Sequence, residues 1–269
     1  MRLSIGSLSK AFNLSDEAIR YYERKGLLSP KREAGKGYRQ YDRVDIQRIS
    51  NIKRMQALGF SLDQIWQAYQ GLPEEKLTAL YQNKLTTLEN QLAYQTRVYE
   101  HLKKVTSLLQ AKNAWLFKPR LVKREKAFVR AFPSIPDMWE AARRDKILKT
   151  SFHHQPLVSF STFFEISDGQ LQMPVLCKGV AVFASDAAVL PFALDGFAEI
   201  DATTAVEMVF RLENGRFDLP RLMQPLASYL TEHRLEAVSP FFTHKLFDYR
   251  DETGCVVHYA RLIVPIRPR

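Results

Sequence analysis

The stretch EAIRYYERKGLLSP, residues 17–30, places Arg20, Tyr21, Tyr22, Arg24 and Lys25 close together and then breaks at Gly26. Arginine forks clamp phosphates and read base edges, and tyrosine hydroxyls donate to phosphate. On a helix, Asp16, Arg20, Tyr21 and Arg24 form a face that can enter a major groove. Downstream, KREAGKGYRQ (31–40) gathers Lys31, Arg32, Lys36, Tyr38 and Arg39 around Gly35 and Gly37. Glycines flanking a lysine are a turn signal, so this segment predicts a hairpin with a basic tip that reaches the flanking backbone. From charge alone, a solvated basic surface is an equal reading.

These side chains need short helices to hold them. Residues 4–12 and 15–25 read as two helices joined by Asn13-Leu14, with Ser15 as N-cap and Asp16 and Glu17 in the first turn, where the helix dipole favours carboxylates. Ile5, Leu8 and Phe12 form an apolar stripe that Ala18, Ile19 and Tyr22 can meet. Tyr22 and Tyr41 are therefore candidates both for phosphate contact and for core. Helix resumes after Asp42 and stops at Gly59, and Ser61-Leu-Asp-Gln64 has capping-box form for one more helix to about residue 70.

From Glu74 to about Asn113 there is neither Pro nor Gly. Leu77, Tyr81, Leu85, Leu88, Leu92, Gln95, Tyr99, Leu102, Val105 and Leu109 recur every three or four residues, the narrow seam of a coiled coil. A helix of roughly 60 Å does not stabilise itself in water, so a partner is expected, most economically a second copy of the chain. Beyond Pro119 the period changes. Residues 121–132 read as a strand, 134–149 as a helix, and 157–166 and 174–184 as strands. Strand 203–212, helix 218–233 and strands 240–249 and 256–266 then repeat the pattern. The predicted fold is an N-terminal winged helix-turn-helix (1–72), a long dimerisation helix in a coiled coil (73–116) and a C-terminal α+β domain (120–269) of two strand-helix-strand-strand repeats, with a cleft between them.

Charge divides along the same line. Residues 1–120 hold 21 Lys and Arg against 11 Asp and Glu, whereas residues 121–269 hold 18 of each. The whole excess of +10 lies in the first part, which points to a polyanionic partner there and to a different task for the remainder. No run has the length of a membrane span, MRLSIGSLSKAF lacks the apolar region of a signal peptide, and two cysteines fit a reducing compartment; a cytoplasmic location is expected.

The motifs IGSLS (5–9), IRYYERKGLLSPKR (19–32), GYRQYD (37–42) and LGFSLDQI (58–65), in this order and spacing, resemble the MerR family of transcription regulators. The resemblance covers roughly the first 70 residues. It implies a homodimer with an antiparallel coiled coil that grips promoter DNA with an overlong spacer and, when an effector binds, kinks and untwists it for RNA polymerase holoenzyme. Matching by position makes Arg20, Tyr21, Tyr38, Arg39 and Lys53 the foremost DNA contacts, with Ser15, Asp16, Tyr22, Arg24, Lys31, Arg32, Lys36 and Tyr41 around them.

Residues 121–266 more loosely resemble the gyrase-inhibitor-like effector domain of multidrug-sensing members, through VEMVFRLENGRF and a last strand ending HYARLIVPI. The resemblance implies a small organic effector, lipophilic or aromatic, in an aromatic cleft with an acid on the terminal strand that helps to hold lipophilic cations. At that acid's position stands Arg261, which leaves an anionic or zwitterionic effector open. Glu165 and Asp248 are alternative acids, and Trp139, Phe163, Tyr229, Phe247, Tyr249 and Tyr259 are candidate walls. Cys177 and Cys255 lack metal-ligand spacing, His153-His154 has no third ligand nearby, and no GxSxG, HExxH or P-loop occurs. No metal, cofactor or catalytic residue is expected. A constitutive architectural DNA-binding protein and a DNA-bound hydrolase are the competing classes.

Overall fold

In the N-terminal part each element ends where the sequence supplies a cap. The computed structural model describes residues 2–32, 37–111, 114–132, 143, 145–164, 177–214, 218–238 and 241–269. The chain divides into two compact units, Met1–Glu89 and Asn90–Arg269. In the first, helix α1 (Ile5–Phe12) starts at Ser4, whose Oγ accepts from the Ser7 N–H, and ends at Asn13 with φ 50°. Helix α2 (Asp16–Arg24) starts at Ser15, whose Oγ accepts from the Ala18 N–H. It is followed by Gly26 at φ 71°, a left-handed conformation that suits glycine at a helix end.

Strands β1 (Lys31–Arg32) and β2 (Arg39–Gln40) pair antiparallel as a small wing. Helix α3 (Arg43–Ala57) opens with an Asp42/Asp45 capping box and α4 (Leu62–Tyr69) with a Ser61/Gln64 box, each satisfying two N–H groups at a helix start. These elements enclose a core of Leu8, Ile19, Tyr22, Leu28, Tyr41, Ile49, Ile52 and Ile65. Helix α5 (Glu74–Gln110) then runs 37 residues without interruption, and Leu85, Leu88, Leu92, Tyr99, Leu102 and Leu109 on it are exposed.

The second unit is built on one large sheet. Strands β3 (Arg120–Arg124), β4 (Ala127–Phe132), β5 (Ser159–Phe164), β6 (Cys177–Phe183), β7 (Ala198–Ile200), β8 (Thr203–Glu213), β10 (Phe241–Arg250) and β11 (Val256–Pro268) lie in the order β3-β8-β11-β10-β5-β6-β4-β7, and β9 (Leu235–Ala237) pairs with β11. Helices α6 (Lys146–Ser151), α7 (Ala184–Ala187) and α8 (Leu219–Glu232) complete the described elements. Among the described residues no helix is long and apolar enough to cross a membrane.

One expected strand is two. The segment read as a strand over 121–132 breaks at Glu125-Lys126, and its halves separate: β3 pairs with β8, and β4 with β6 and β7. The break is fixed by hydrogen bonds rather than by Gly or Pro. The Glu125 carboxylate accepts from the Ser185 N–H at 3.0 Å and the Lys126 carbonyl from the Ala184 N–H at 2.8 Å. Strands β7 and β9 and helix α7 were outside the sequence expectation. Most of the helix expected over 134–149 lies outside the described residues; within that span Asp145 is extended and caps the start of a short helix, α6, which runs on to Ser151.

Strand alternation gives β8 and β11 two unlike faces. Val206, Met208 and Phe210 of β8 and Ala260, Leu262 and Val264 of β11 pack on Leu222, Leu226 and Leu230 of α8 as an apolar core. The opposite face carries Glu207, Val209, Tyr259, Arg261 and Ile263.

On β6 a glycine is required by contact. A Cβ on Gly179 would lie 2.3 Å from the Arg130 carbonyl oxygen and 2.9 Å from Ala131 Cα. Both are backbone atoms of the paired strand and cannot swing away. Gly179→Ala is expected to destabilise the second unit by about 1–3 kcal/mol, seen as a lower urea midpoint at unchanged slope. An unchanged midpoint refutes the close approach.

Candidate functional site

The exposed face of α2 is short and cationic. Arg20 and Tyr21 point to solvent, and Arg24 follows, its Nη2 2.7 Å from Glu17 two turns back. Tyr21 lies under the Arg24 and Lys25 cations at 5.6 and 5.8 Å. Lys25 in turn pairs with Asp63 at the start of α4, at 2.7 Å. Lys31, Arg32 and Tyr38 are exposed on the wing, while Lys36 lies outside the described residues. Tyr38 keeps 70% of its surface in solvent.

Glu23 ties the wing to α2. Its carboxylate accepts from Arg39 Nε at 2.9 Å and from the Tyr41 hydroxyl. Burial raises the Tyr41 phenol, and Glu23 raises it further, so the hydroxyl stays a donor. The structure places Tyr41 and Tyr22 in the core, at 0% and 4% exposure, rather than on the outer face. Each phenol finds a partner inside, Glu23 for Tyr41 and Gln56 for Tyr22 at 3.2 Å, because a buried hydroxyl must be paired. Other expected contacts also carry structural duties. Lys53 Nζ donates to the Phe12 carbonyl at 2.5 Å, closing the end of α1, and Ser15 caps α2 beside Asp16.

In the second unit a cavity of about 520 Å³ lies between the later turns of α5 and the charged face of the sheet. Glu207, 7% exposed, accepts from Arg120 at 2.7 Å and from Arg261 at 3.1 Å. Burial alone would raise its carboxyl, but Arg261 and Arg120 hold it below the usual range. The Arg261 guanidinium lies 4.8 Å from the Phe183 ring centroid. Across the cavity the buried Asp186 accepts from Arg97 at 2.8 Å and lies 3.3 Å from His101 Nε2. Burial works against this carboxylate too, and the His101 and Arg97 contacts prevail. His101 stacks on His244, with ring centroids 6.2 Å apart.

Of the side chains expected around an effector, only Arg261 lines this cavity among the described residues. Trp139 and Glu165 lie outside the described residues. Phe163 is 6% exposed and packs against Phe242. Tyr229 belongs to α8, on the other face of the sheet, and stacks on His233. Asp248 is exposed and paired with Lys245 at 2.8 Å. Phe247, Tyr249 and Tyr259 stack on one another on the cavity side of β10 and β11 without lining the cavity. The lining that sequence reading missed comes from α5 (Arg97, His101, Lys104), β3 (Arg120, Arg124) and β8 (Glu207). The signal was there as alternation: Arg120, Val122 and Arg124 face one way on β3, and Glu207 and Val209 on β8.

His244 is fully buried, and burial together with Arg261, His101 and Lys104 drives its value well below the ordinary 6.5. The folded chain therefore keeps it neutral, while the unfolded chain binds a proton below 6.5. Its contribution to stability is complete above 6.5 and is lost as pH falls below it. Urea unfolding from about pH 7.5 to 5 should show that loss, and His244→Phe should flatten the profile. Parallel profiles for the two proteins refute the assignment.

The N-terminal sequence matches known regulators. Residues 3–72 match the MerR HTH family regulatory protein model, and residues 46–105 match the MerR DNA-binding model. The nodulation protein NolA of Bradyrhizobium sp. (strain NC92) is 35% identical over 106 residues, which are 39% of this chain and 44% of that protein. The chain thus spans less than half the length of that relative. The HTH-type transcriptional regulator HmrR of Rhizobium leguminosarum bv. viciae is 35% identical over 109 residues, 37% of this chain and 83% of that protein. Among solved structures, the EcmrR–DNA complex seen by cryo-EM in EcmrR-RPo aligns over 99% of this chain and 100% of that one, at 15% identity and a TM-score of 0.39. With a helix-turn-helix family match over residues 3–72 and a relative matched across most of its own length, the chain belongs to the MerR family of DNA-binding transcription regulators.

Proposed function

We propose that the chain binds promoter DNA as a homodimer, with α2 in the major groove and the β1–β2 wing on the flanking backbone. A small organic effector in the cavity of the second unit then switches transcription. The observation that carries the DNA part is the exposed Arg20, Tyr21 and Arg24 on α2, beside a wing that Glu23 pins through Arg39 and Tyr41. Arg20 and Tyr21 are the primary contacts in this reading. Arg39 acts through its pairing with Glu23 as much as through DNA.

Dimerisation is supported by α5, whose exposed leucines and tyrosines need a second helix to cover them. The two-repeat reading of the second unit is supported by the strand order, in which β8-β11-β10 and β4-β6-β5 run inward from the two sides to meet at the β10–β5 pair. The effector reading is supported by the size of the cavity, within the range of small-molecule sites. Activation proceeds by kinking and untwisting the promoter spacer for RNA polymerase, with the effector bound and released unchanged.

Arg20→Ala is expected to weaken promoter binding and to reduce the slope of log affinity against log salt by about one, measured by fluorescence anisotropy at several salt concentrations. Wild-type affinity and slope in this variant remove α2 from the groove. In vitro transcription with and without the compounds named below tests the switch, since an architectural protein answers to none of them and a hydrolase consumes them.

A further inference from the structure

The cavity wall carries seven Lys and Arg against four Asp and Glu, and the acids are largely committed. Glu207 is shared by Arg120 and Arg261, Asp186 by Arg97 and His101, and Glu125 accepts from the Ser185 hydroxyl at 2.9 Å and its N–H at 3.0 Å. A cationic ligand that reached Glu207 or Asp186 would have to displace an arginine from a buried carboxylate, which leaves Glu100 and Glu125 as the acids of the wall that no arginine holds among the described residues.

The cations are less completely matched. Arg124 is 5% exposed, and its Nη2 donates to the Asp201 carbonyl, but its Nε and Nη1 are buried with no hydrogen-bond partner among the described residues. Arg261 Nε is in the same condition. A buried donor without a partner costs free energy that an incoming acceptor restores. Lys104 stands on α5 above them. Although much of its surface is open to solvent, partial withdrawal from water and repulsion from Arg261 and Arg97 lower its pKa, a shift that a nearby anion reverses. Trp115, Leu108, Val209 and Phe183 supply apolar wall beside these groups.

We propose that the cavity selects an anionic aromatic ligand, one whose carboxylate, sulfonate or phosphate is held by Arg124, Arg261 and Lys104 while its ring lies against the apolar wall. A planar guanidinium fork suits such oxyanions, and Glu207 keeps Arg261 in place without cancelling both arginines. This rests on the cavity being the effector site and reverses the charge that the family resemblance suggests.

The test is calorimetry on the full-length protein with four ligands sharing one ring, 2-naphthoate, naphthalene-2-sulfonate, 2-naphthyl phosphate and 2-naphthyltrimethylammonium, with inorganic sulfate as a competitor. Promoter binding is measured on the same preparation. At least one anion is expected to bind roughly tenfold or more tightly than the ammonium, and the ranking of the three identifies the oxyanion. Arg124→Met should weaken that anion by roughly tenfold to a hundredfold and leave the ammonium unaffected. Lys104→Met, on a solvent-facing turn of α5, makes the same test where loss of Arg124 impairs folding. Competition by sulfate supports anchoring through the oxyanion. A tighter ammonium overturns the proposal and leaves the effector site standing. Wild-type anion binding in both variants also overturns it. No binding of any ring compound at millimolar concentration, in protein that still holds promoter DNA, overturns the proposal and the effector reading together.

Discussion

Strands β8 and β11 alternate, and their two faces have to be closed by different means. The apolar face is sealed by α8 through leucines. The other carries Glu207 and Arg261, and a charged pair withdrawn from water is tolerable only when matched and hydrogen-bonded. Glu207 obtains a second cation, Arg120, from the neighbouring strand β3. Lined with such groups, this face cannot be closed as tightly as an apolar one, and the later turns of α5 roof it as a cavity instead. The cavity is thus a consequence of where the alternation places charge.

The same principle works at smaller scale in the N-terminal unit. Glu23 leaves a helix whose other side carries arginines to solvent, turns inward and accepts from Arg39 and Tyr41. A two-stranded wing has little stability of its own, so its attachment to α2 through one half-buried carboxylate determines where Lys31, Arg32 and Tyr38 stand. Tyr41 does this from the core, as a buried ring with one polar tip.

How far the sequence could be read depended on the range of the contacts involved. Ser15, Asp42, Ser61 and Gly26 act on neighbours a few residues away, and the helices of the N-terminal unit were legible from them almost to the residue. The long helix was legible because nothing interrupts it. The break between β3 and β4 was not, since Glu125 and Lys126 carry no turn chemistry and are held by residues about 60 positions away. Tyr22 and Tyr41 read equally well as contact or core, and only packing separates those roles. The cavity was the least legible feature. Its lining is drawn from α5, α7, β3, β6, β8, β10 and β11, and reading for aromatics led to Phe163 and Tyr229, which face elsewhere.

The pairing of Arg261 with Glu207 constrains how this protein can diverge. The two side chains stand on adjacent strands, diagonal in register, with Arg261 opposite Val209 and Glu207 opposite Ile263. Loss of Glu207 alone would leave Arg261 without its carboxylate inside the domain, a change that costs several kcal/mol and endangers folding before it alters recognition, whereas loss of Arg261 alone leaves Glu207 paired with Arg120. A descendant that prefers a ligand of opposite charge is therefore reached through Arg261 first, with Arg120 still holding Glu207. In related chains Glu207 should change only where Arg261 has changed too, while the apolar wall beside them drifts freely.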